Sequence, residues 1–291
     1  MLADTAPSRV RFRQITDADI GPVAHLLAQG FRRSTPRNWV DIFARLAQHR
    51  TPQGFAKYGY LMLNDETPVG AIIVVSSLLP SSPGTAAMRC NLSSWYVSPG
   101  FRAFAPLFIS RILRNKDVTY VNVSPAPHTL PILRVQGFTP YSEGQFLSIA
   151  SPFGRDRCSK VVGWGAACED YGEDREQELL LAHVQFGCAC VMCVSGERVY
   201  PFVFRPRMLQ GYLPSAQLIY CRHREEYARF ARPLGRFWAR RRRPIIMVDA
   251  NAPIPGLAGI YIKGLLPKYY KGPVRPGLGD LAYTETALFG I

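Results

Sequence analysis

Residues 91–141, NLSSWYVSPGFRAFAPLFISRILRNKDVTYVNVSPAPHTLPILRVQGFTPY, constrain the fold more than any other part of this chain. Strand-like residues 91–97 run into Pro99-Gly100, and a helix is expected over 104–114 with Pro106 in its first turn, where a missing N–H costs nothing. Residues 118–123 are apolar at nearly every position, as a strand at the centre of a sheet is. A short helix over 128–136 then stops at Gly137. The step from turn to helix, residues 99–106, is where a phosphate-bearing ligand is expected. Unpaired N–H groups and the positive end of the helix dipole both favour an anion there.

Upstream, VRFRQI at 10–15 alternates apolar and polar residues as a half-buried strand does. Thr16 with Asp19 predicts a helix start, and Ile20, Val23, Leu26, Leu27 and Phe31 recur at helical spacing. A second helix follows Pro36, with Trp39, Ile42, Phe43 and Leu46 on one face. Strands are expected at 58–63 and 69–79 around a turn at 64–68, with a loop at 79–84.

At 291 residues the chain is long enough for two domains or for one with a long extension. Its 35 Lys and Arg against 21 Asp and Glu give a net charge of +14, which suits polyanions such as CoA, an acidic carrier protein or nucleic acid. No apolar run approaches the ~20 residues of a membrane-spanning helix, and residues 1–8 lack a secretory pattern. Seven cysteines without a small-domain disulfide framework complete the expectation of a cytoplasmic, reduced protein.

The element order β-α-α-β-β-β-α-β-α-β within about 150 residues resembles the GNAT superfamily, the acyl-CoA-dependent N-acyltransferases. The residues that carry the resemblance are VRFRQITDADIGPVAHLL, DETPVGAIIVV, the strand-turn-helix from Trp95, and VNVSPAPHTLPILRVQGF. It covers residues 9–151 and implies an α/β (α+β) fold with a mixed, mostly antiparallel twisted sheet flanked by helices.

The second half repeats the first. A shift of 127 pairs Arg102 with Arg229, Pro106 with Pro233, Leu107 with Leu234, Arg114 with Arg241 and Val121 with Val248. The same shift pairs Leu130 with Leu257, Gly137 with Gly264 and Pro140 with Pro267, and a shift of 130 overlays the hairpins. The expectation is two GNAT-like units, residues 1–151 and 158–291, the second degenerate and joined near 151–157. Its expected elements are a strand remnant at 161–164, a helix at 174–186, a hairpin at 188–205, a strand at 217–222, a helix at 225–240, a strand at 244–250 and a short helix from 255 to Gly264.

In the superfamily the pyrophosphate loop reads Arg/Gln-x-x-Gly-x-Gly/Ala. Here Arg102 fills its first position, Ala105 stands for the first glycine and Leu107 for the Gly/Ala. The resemblance implies acetyl-CoA or another acyl-CoA as co-substrate, without a metal, held by Val97, Arg102, Ala103, Ala105 and Asn122. The competing reading makes Pro106 an ordinary first-turn residue and Arg102 a solvated cation. The second turn, 229–234, is equally altered and follows acidic Glu225 and Glu226.

Acyl transfer to an amine needs a base for the ammonium, a donor that polarises the thioester and an acid for the departing thiolate. The backbone near Tyr96 to Ser98 is expected to supply the donor. The family's acid, a tyrosine four residues before the closing glycine, is replaced by Leu133 and Ile260, and no carboxylate lies on 91–97. Tyr96, Ser124 and His128 are the remaining catalytic candidates. The acceptor expected is a small-molecule or peptide amine.

Cys188, Cys190 and Cys193 read as buried apolar residues on a strand, with 188 and 190 on one face and 193 on the other. Arg240, Arg241, Arg242 and Arg243 form the densest charge cluster, either a solvated helix end or a docking site for an acidic partner. Nucleic acid is disfavoured, because no aromatic residues alternate with these arginines. Asp249 and Asn251 either present ligand contacts at the end of a strand or cap the following turn. Three functions stay open in order: an acyl-CoA-dependent N-acyltransferase, a non-catalytic binding or scaffold protein of that fold, and a basic nucleic-acid binder.

Overall fold

A computed structural model describes residues 10–82, 85–149, 160–164 and 174–290. The first half supplies strands β1 (Val10–Gln14), β2 (Gly59–Asn64), β3 (Thr67–Ser82), β4 (Thr85–Val97), β5 (Thr119–Asn122) and β6 (Thr139–Ile149). The second supplies β7 (Lys160–Gly163), β8 (Ala189–Ser195), β9 (Arg198–Leu209), β10 (Leu213–Cys221), β11 (Ile245–Ala250) and β12 (Gly259–Lys271). The helices are α1 (Ile20–Gly30), α2 (Pro36–Gln48), α3 (Ala105–Ile112), α4 (Leu130–Val135), α5 (Asp174–Gln185), α6 (Arg224–Arg240) and α7 (Glu285–Leu288).

Local chemistry sets several boundaries. The Thr16 N–H and hydroxyl both donate to the Asp19 carboxylate, at 2.8 and 2.7 Å, and α1 follows. Thr35 and Asn38 make the same reciprocal arrangement before α2, with Pro36 at its start. Trp39, Phe43 and Leu46 then bury the apolar stripe of α2. At the end of α4, Gly137 takes φ +83° and the Phe138 N–H reaches back to the Leu133 carbonyl at 3.0 Å. Leu133 and Phe138 are both buried, completing the glycine-centred helix stop with its apolar contact. Residues 79–82 of the expected loop at 79–84 instead continue the β3–β4 ladder, which pairs as far as Ser82 with Thr85, and residues 83 and 84 lie outside the described residues.

All twelve strands of the described residues join one sheet in the order β1-β2-β3-β4-β5-β12-β6-β11-β10-β9-β8-β7. Read from either end, the succession is the same: β1 corresponds to β7, β4 to β10, β5 to β11 and β6 to β12. Only β4–β5 and β10–β11 are parallel; the other ladders are antiparallel. Each half is thus a mostly antiparallel unit whose last strand lies in the other half's sheet. β12 sits between β5 and β6, and β6 between β12 and β11.

The structural register between the units differs from the sequence match at 127. Arg89 pairs with Thr119 as Ser215 pairs with Ile245, and each corresponding residue is 126 apart. The same offset superposes the helix cores, with Phe104, Phe108 and Ile112 answering to Phe230, Leu234 and Trp238. A slip of one residue moves every strand side chain to the opposite face, so the eight identities at 127 do not mark equivalent positions. The expected helix from 255 to Gly264 is absent as well. β12 begins at Gly259, and Gly264 (φ +81°) lies in a bulge where Lys263 and Lys268 face Gly144 and Ser142. With Pro253 and Pro255 in it, the short stretch between β11 and β12 has no room for a counterpart of α4.

One face of the sheet carries a core common to both units. Val23, Leu27, Phe43 and Leu61 belong to the same cluster as Leu180, Met192, Val203, Leu281 and Leu288. The opposite face carries two separate cores, one under α3 and α4 and one under α6. In the latter, Tyr227, Phe230, Leu234 and Trp238 are buried at helical spacing, each contributing roughly 1.5–3 kcal/mol. Cys188 and Cys190 face the common core and Cys193 faces α6.

The seam between units is tied by buried polar groups. Lys268 Nζ lies 2.7 Å from Asp249 Oδ1, both side chains almost wholly excluded from water, and Gln145 Nε2 donates to the same oxygen at 2.6 Å. Asn251 accepts from the Glu143 N–H at 2.7 Å and donates to the Tyr141 carbonyl at 3.1 Å. Asp249 and Asn251 therefore bind β6 of the other unit; neither of their two expected roles is what this structure shows. At the end of α6, Arg243 donates to the Arg207 and Ser215 carbonyls, and Arg241 stacks 3.5 Å above Phe237. Arg240 to Arg242 remain exposed.

Candidate functional site

The site follows from how β4 leaves β5. The two strands pair only from Arg89–Thr119 to Asn91–Val121 and then part, opening a wedge on the C-terminal side. Beyond the fork β4 carries a bulge, since Ala71–Tyr96 and Ile73–Ser93 leave an extra residue on β4 and Ser94 takes φ +45°. The Ser98 N–H is committed to the Val69 carbonyl on the β3 side at 2.8 Å. N–H directions alternate along a strand, so the Val97 N–H points to the opposite edge, into the wedge. Of the expected backbone donors, Ser98 is thereby removed and Val97 is the one directed correctly.

A cleft of about 470 Å³ occupies this wedge, lined by Trp95, Tyr96, Val97, Arg102, Ala105, His128, Thr129 and Ile132. Five of the eight residues proposed from the sequence meet in it: Tyr96, Val97, Arg102, Ala105 and His128. Tyr96 is held against α1 by Gly30, where an added Cβ would lie 2.2 Å from the ring. Residues Pro99–Phe104 form a 3-10 turn that leads without a break into α3, with Arg102 exposed at the cleft mouth. Leu107, which stands where the family has a small residue, is 48% exposed and does not line the cleft.

The other three lie outside the lining. Ala103 is exposed on the outer side of the 3-10 turn. Asn122 pairs with Tyr269 of β12, and its buried Oδ1 has no hydrogen-bond partner. Ser124, exposed just past the end of β5, donates to Glu285 Oε1 at 2.6 Å.

Glu285 is a residue that the sequence reading did not select. It lies in α7, on the segment that crosses the common core from β10 to β4, and it is 1% exposed. Its second oxygen accepts from the Asn91 amide. The carboxylate thus bridges the two strands at the fork, with Asn91 on β4 and Ser124 beyond β5. Burial raises its pKa, opposed by the hydrogen bonds from Ser124 and Asn91 and by the charge of Lys268. The second unit supports the cleft in one more place: Lys271 Nζ of β12 donates to the Gln136 carbonyl at the end of α4, at 2.6 Å.

The corresponding wedge of the second unit is closed. β10 and β11 also pair over only three positions before parting. The chain's own C-terminal segment fills the gap: the Leu281 N–H donates to the Ile219 carbonyl at 2.7 Å and the Cys221 N–H to the Gly279 carbonyl at 3.2 Å. Ile219 and Cys221 correspond, 126 residues on, to Ser93 and Trp95 in the open wedge. Residues 229–234 are no turn at all but lie inside α6, with Pro233 within the helix. Glu225 and Glu226 in the first turn of α6 repel an anion. A smaller cavity of about 260 Å³ beside this filled wedge is bordered by Arg89, Thr119, Arg222, Arg275 and Asp280.

No family model and no curated protein matches the sequence. Solved structures do. A GCN5-related N-acetyltransferase from Anabaena variabilis superposes with a TM-score of 0.57 at 10% identity, over 90% of this chain and 72% of that one. A putative acetyltransferase from Pyrococcus horikoshii gives 0.53 at 12% identity, over 94% and 93%. A probable N-acyltransferase from Enterococcus faecalis gives 0.57 at 11%, over 90% and 72%. At these identities the likeness is one of fold: the chain has the GNAT fold, built as two units that share one sheet.

Proposed function

We propose that the first unit binds an acyl-CoA in the wedge between β4 and β5 and transfers its acyl group to an amine. The observation that carries this reading is the contrast between the two wedges: one open and lined by the expected residues, the other filled by the chain itself. The open cleft fits the co-substrate in chemistry, with Trp95, Val97, Ala105 and Ile132 as apolar wall, Arg102 as the cation at its mouth and the inward Val97 N–H as donor. Trp95 Nε1, buried without a partner, is a further polar group in that wall. In this reading Arg102 holds phosphate charge, the Val97 N–H polarises the carbonyl of the bound thioester, and Tyr96 and His128 are the titratable groups nearest the reacting atoms. The acceptor, a small-molecule or peptide amine, meets the donor where β4 and β5 part. The second unit acts as a support that binds no CoA.

A non-catalytic role is favoured by one observation. Leu133, at the position of the family's acid, is buried against the core and offers no proton. Calorimetric titration with acetyl-CoA and longer acyl-CoAs tests the main reading, with Arg102→Glu as control. Binding by the wild type and loss of at least tenfold in affinity for an intact Arg102→Glu is the expected result. An absence of binding to every acyl-CoA by the wild type would remove the transferase reading.

Among the described residues no helix is long and apolar enough to cross a membrane, and Cys90, Cys188 and Cys221 are buried thiols. We assign the protein to the cytoplasm on the thiols. Any acidic partner would meet Arg240 to Arg242, since Arg243 is engaged with backbone carbonyls.

A further inference from the structure

The sequence offers no base for the acceptor ammonium on β4, yet a carboxylate reaches the fork of the wedge from the other end of the chain. We propose that Glu285 is the proton sink for acyl transfer and that Ser124 relays the proton to it. This rests on the acyl-transfer reading of the cleft.

The geometry is specific. Ser124 is exposed, four residues before the cleft residue His128, while its hydroxyl donates at 2.6 Å to a carboxylate that is 1% exposed. A hydroxyl with one side open and the other bonded to a buried acceptor carries a proton between two environments. Asn91 fixes the other carboxylate oxygen, and Asn91 itself sits in the last pair before β4 and β5 separate. The carboxylate is therefore anchored to both walls of the wedge. A pure packing strut at this place would need no charge, and burying one without a purpose is costly.

Lys268 of β12 acts on Glu285 directly and is paired with Asp249 of β11; Arg89 of β4 is paired with Asp280 of the same segment as Glu285, and Tyr141 of β6 feels Asp249, Arg89, Asp280 and Glu285 together. The two cations and the other two carboxylates balance, so Glu285 is the one acid left over. Burial raises its pKa, while Lys268, Asn91 and Ser124 favour the ionised form that accepts a proton.

The step balances as follows. The acceptor ammonium gives a proton to Ser124 Oγ as Ser124 gives its own to Glu285 Oε1. The freed nitrogen lone pair forms the C–N bond at the thioester carbon, and the C–S bond breaks with its electron pair on sulfur. A second proton of the attacking nitrogen passes to that sulfur, giving the amide and the free thiol. Glu285 then returns its proton through Ser124 to solvent. Ser124 is the group that touches the acceptor; Glu285 acts through it.

The test is the pH dependence of acyl transfer from acetyl-CoA to a panel of primary amines (alkylamines, polyamines, peptide N-termini), followed by thiol release. Glu285→Gln keeps the side chain's size and its acceptor for Ser124, so a strut would survive it. The expected result is a fall in kcat of about 10²-fold with unchanged KM for acetyl-CoA, together with loss of the acidic limb of the rate profile. Ser124→Ala, at an exposed site, should reproduce both changes at an unchanged melting temperature, which covers the case of Glu285→Gln failing to fold. Glu285→Gln or Ser124→Ala within threefold of wild type, with the same profile, overturns the relay and leaves the transferase reading intact. A wild type that binds no acyl-CoA and turns over none of the panel removes both.

Discussion

His183 shows how a single buried side chain sets a pH limit on this structure. Its Nδ1 lies 2.7 Å from the Leu179 carbonyl and its Nε2 accepts the Tyr283 N–H at 3.1 Å, so it links α5 to the C-terminal segment only as the neutral ring. Burial lowers its pKa from 6.5 to about 4, and His49, buried beside Ser76, moves in the same direction. Between those values the unfolded chain binds a proton that the folded one refuses, so stability falls as pH drops from about 6.5 to about 4. His183 alone accounts for roughly 3 kcal/mol at the bottom of that window, from about 1.4 kcal/mol per pKa unit. Glu285 works in the opposite sense, its raised pKa favouring the folded state toward acid. The expected observation is a melting temperature that declines through the window, and less steeply in His183→Gln. An equal slope in the two proteins would show that the histidine carries none of it.

Pairs of strands, rather than single strands, join the two units, and Lys268 with Asp249 is the test of that. Both are buried at the β12–β11 seam, across β6, with Lys268 also donating to the Leu266 carbonyl at 3.0 Å. Lys268→Met should cost about 3–5 kcal/mol, because it strands the Asp249 charge in the core. Adding Asp249→Leu should recover most of that loss, as apolar replacement of a whole buried pair is near neutral. Denaturant unfolding of the single and double variants reads both values. A double variant as unstable as the single one would place the energy elsewhere. This element was only half legible in the sequence. The apolar runs and turn residues located β1 to β5 and β7 to β11, with the far ends of β3 and β4 misread as a loop and β6 given no position, because period and punctuation are local properties. Strand partners are not local. Nothing in GIYIKGLLPKYYK says that it inserts between β5 and β6, and its Gly264 reads as the stop of a helix from Pro255. The match at 127 lies one residue off the register in which the two halves correspond, since identity counts are blind to which face a side chain takes. The site was legible in part: Tyr96, Val97, Arg102, Ala105 and His128 line the cleft, while Trp95, Thr129 and Ile132 had not been selected. Glu285 was not legible, as it reaches the wedge across 194 residues of chain from Asn91.

At the scale of the molecule, the exchange of β6 and β12 makes the two halves one cooperative body. The first half on its own would keep β1 to β5 but lose β12, leaving β5 without its neighbour and β6 without either of the strands that flank it. It would also lose Leu281, Ala282 and Leu288 from the common core, and with them Glu285 beneath the wedge. An exposed central edge and an uncovered apolar face cannot both persist in water. The order of strands itself offers a remedy: because β6 occupies in one half the place that β12 occupies in the other, two copies of the first half could each lend β6 to its partner. A protein ending at residue 157 should therefore be a dimer or an aggregate and never a folded monomer. Light scattering after size exclusion, with amide exchange on β5 as the local probe, distinguishes these outcomes. A monomer with β5 protected as in the full chain would mean that the shared sheet is a convenience of packing and that each unit holds its own fold. A dimer with β5 protected and donor affinity retained would show, in addition, that the open wedge needs a neighbouring strand but not the C-terminal segment that reaches under it.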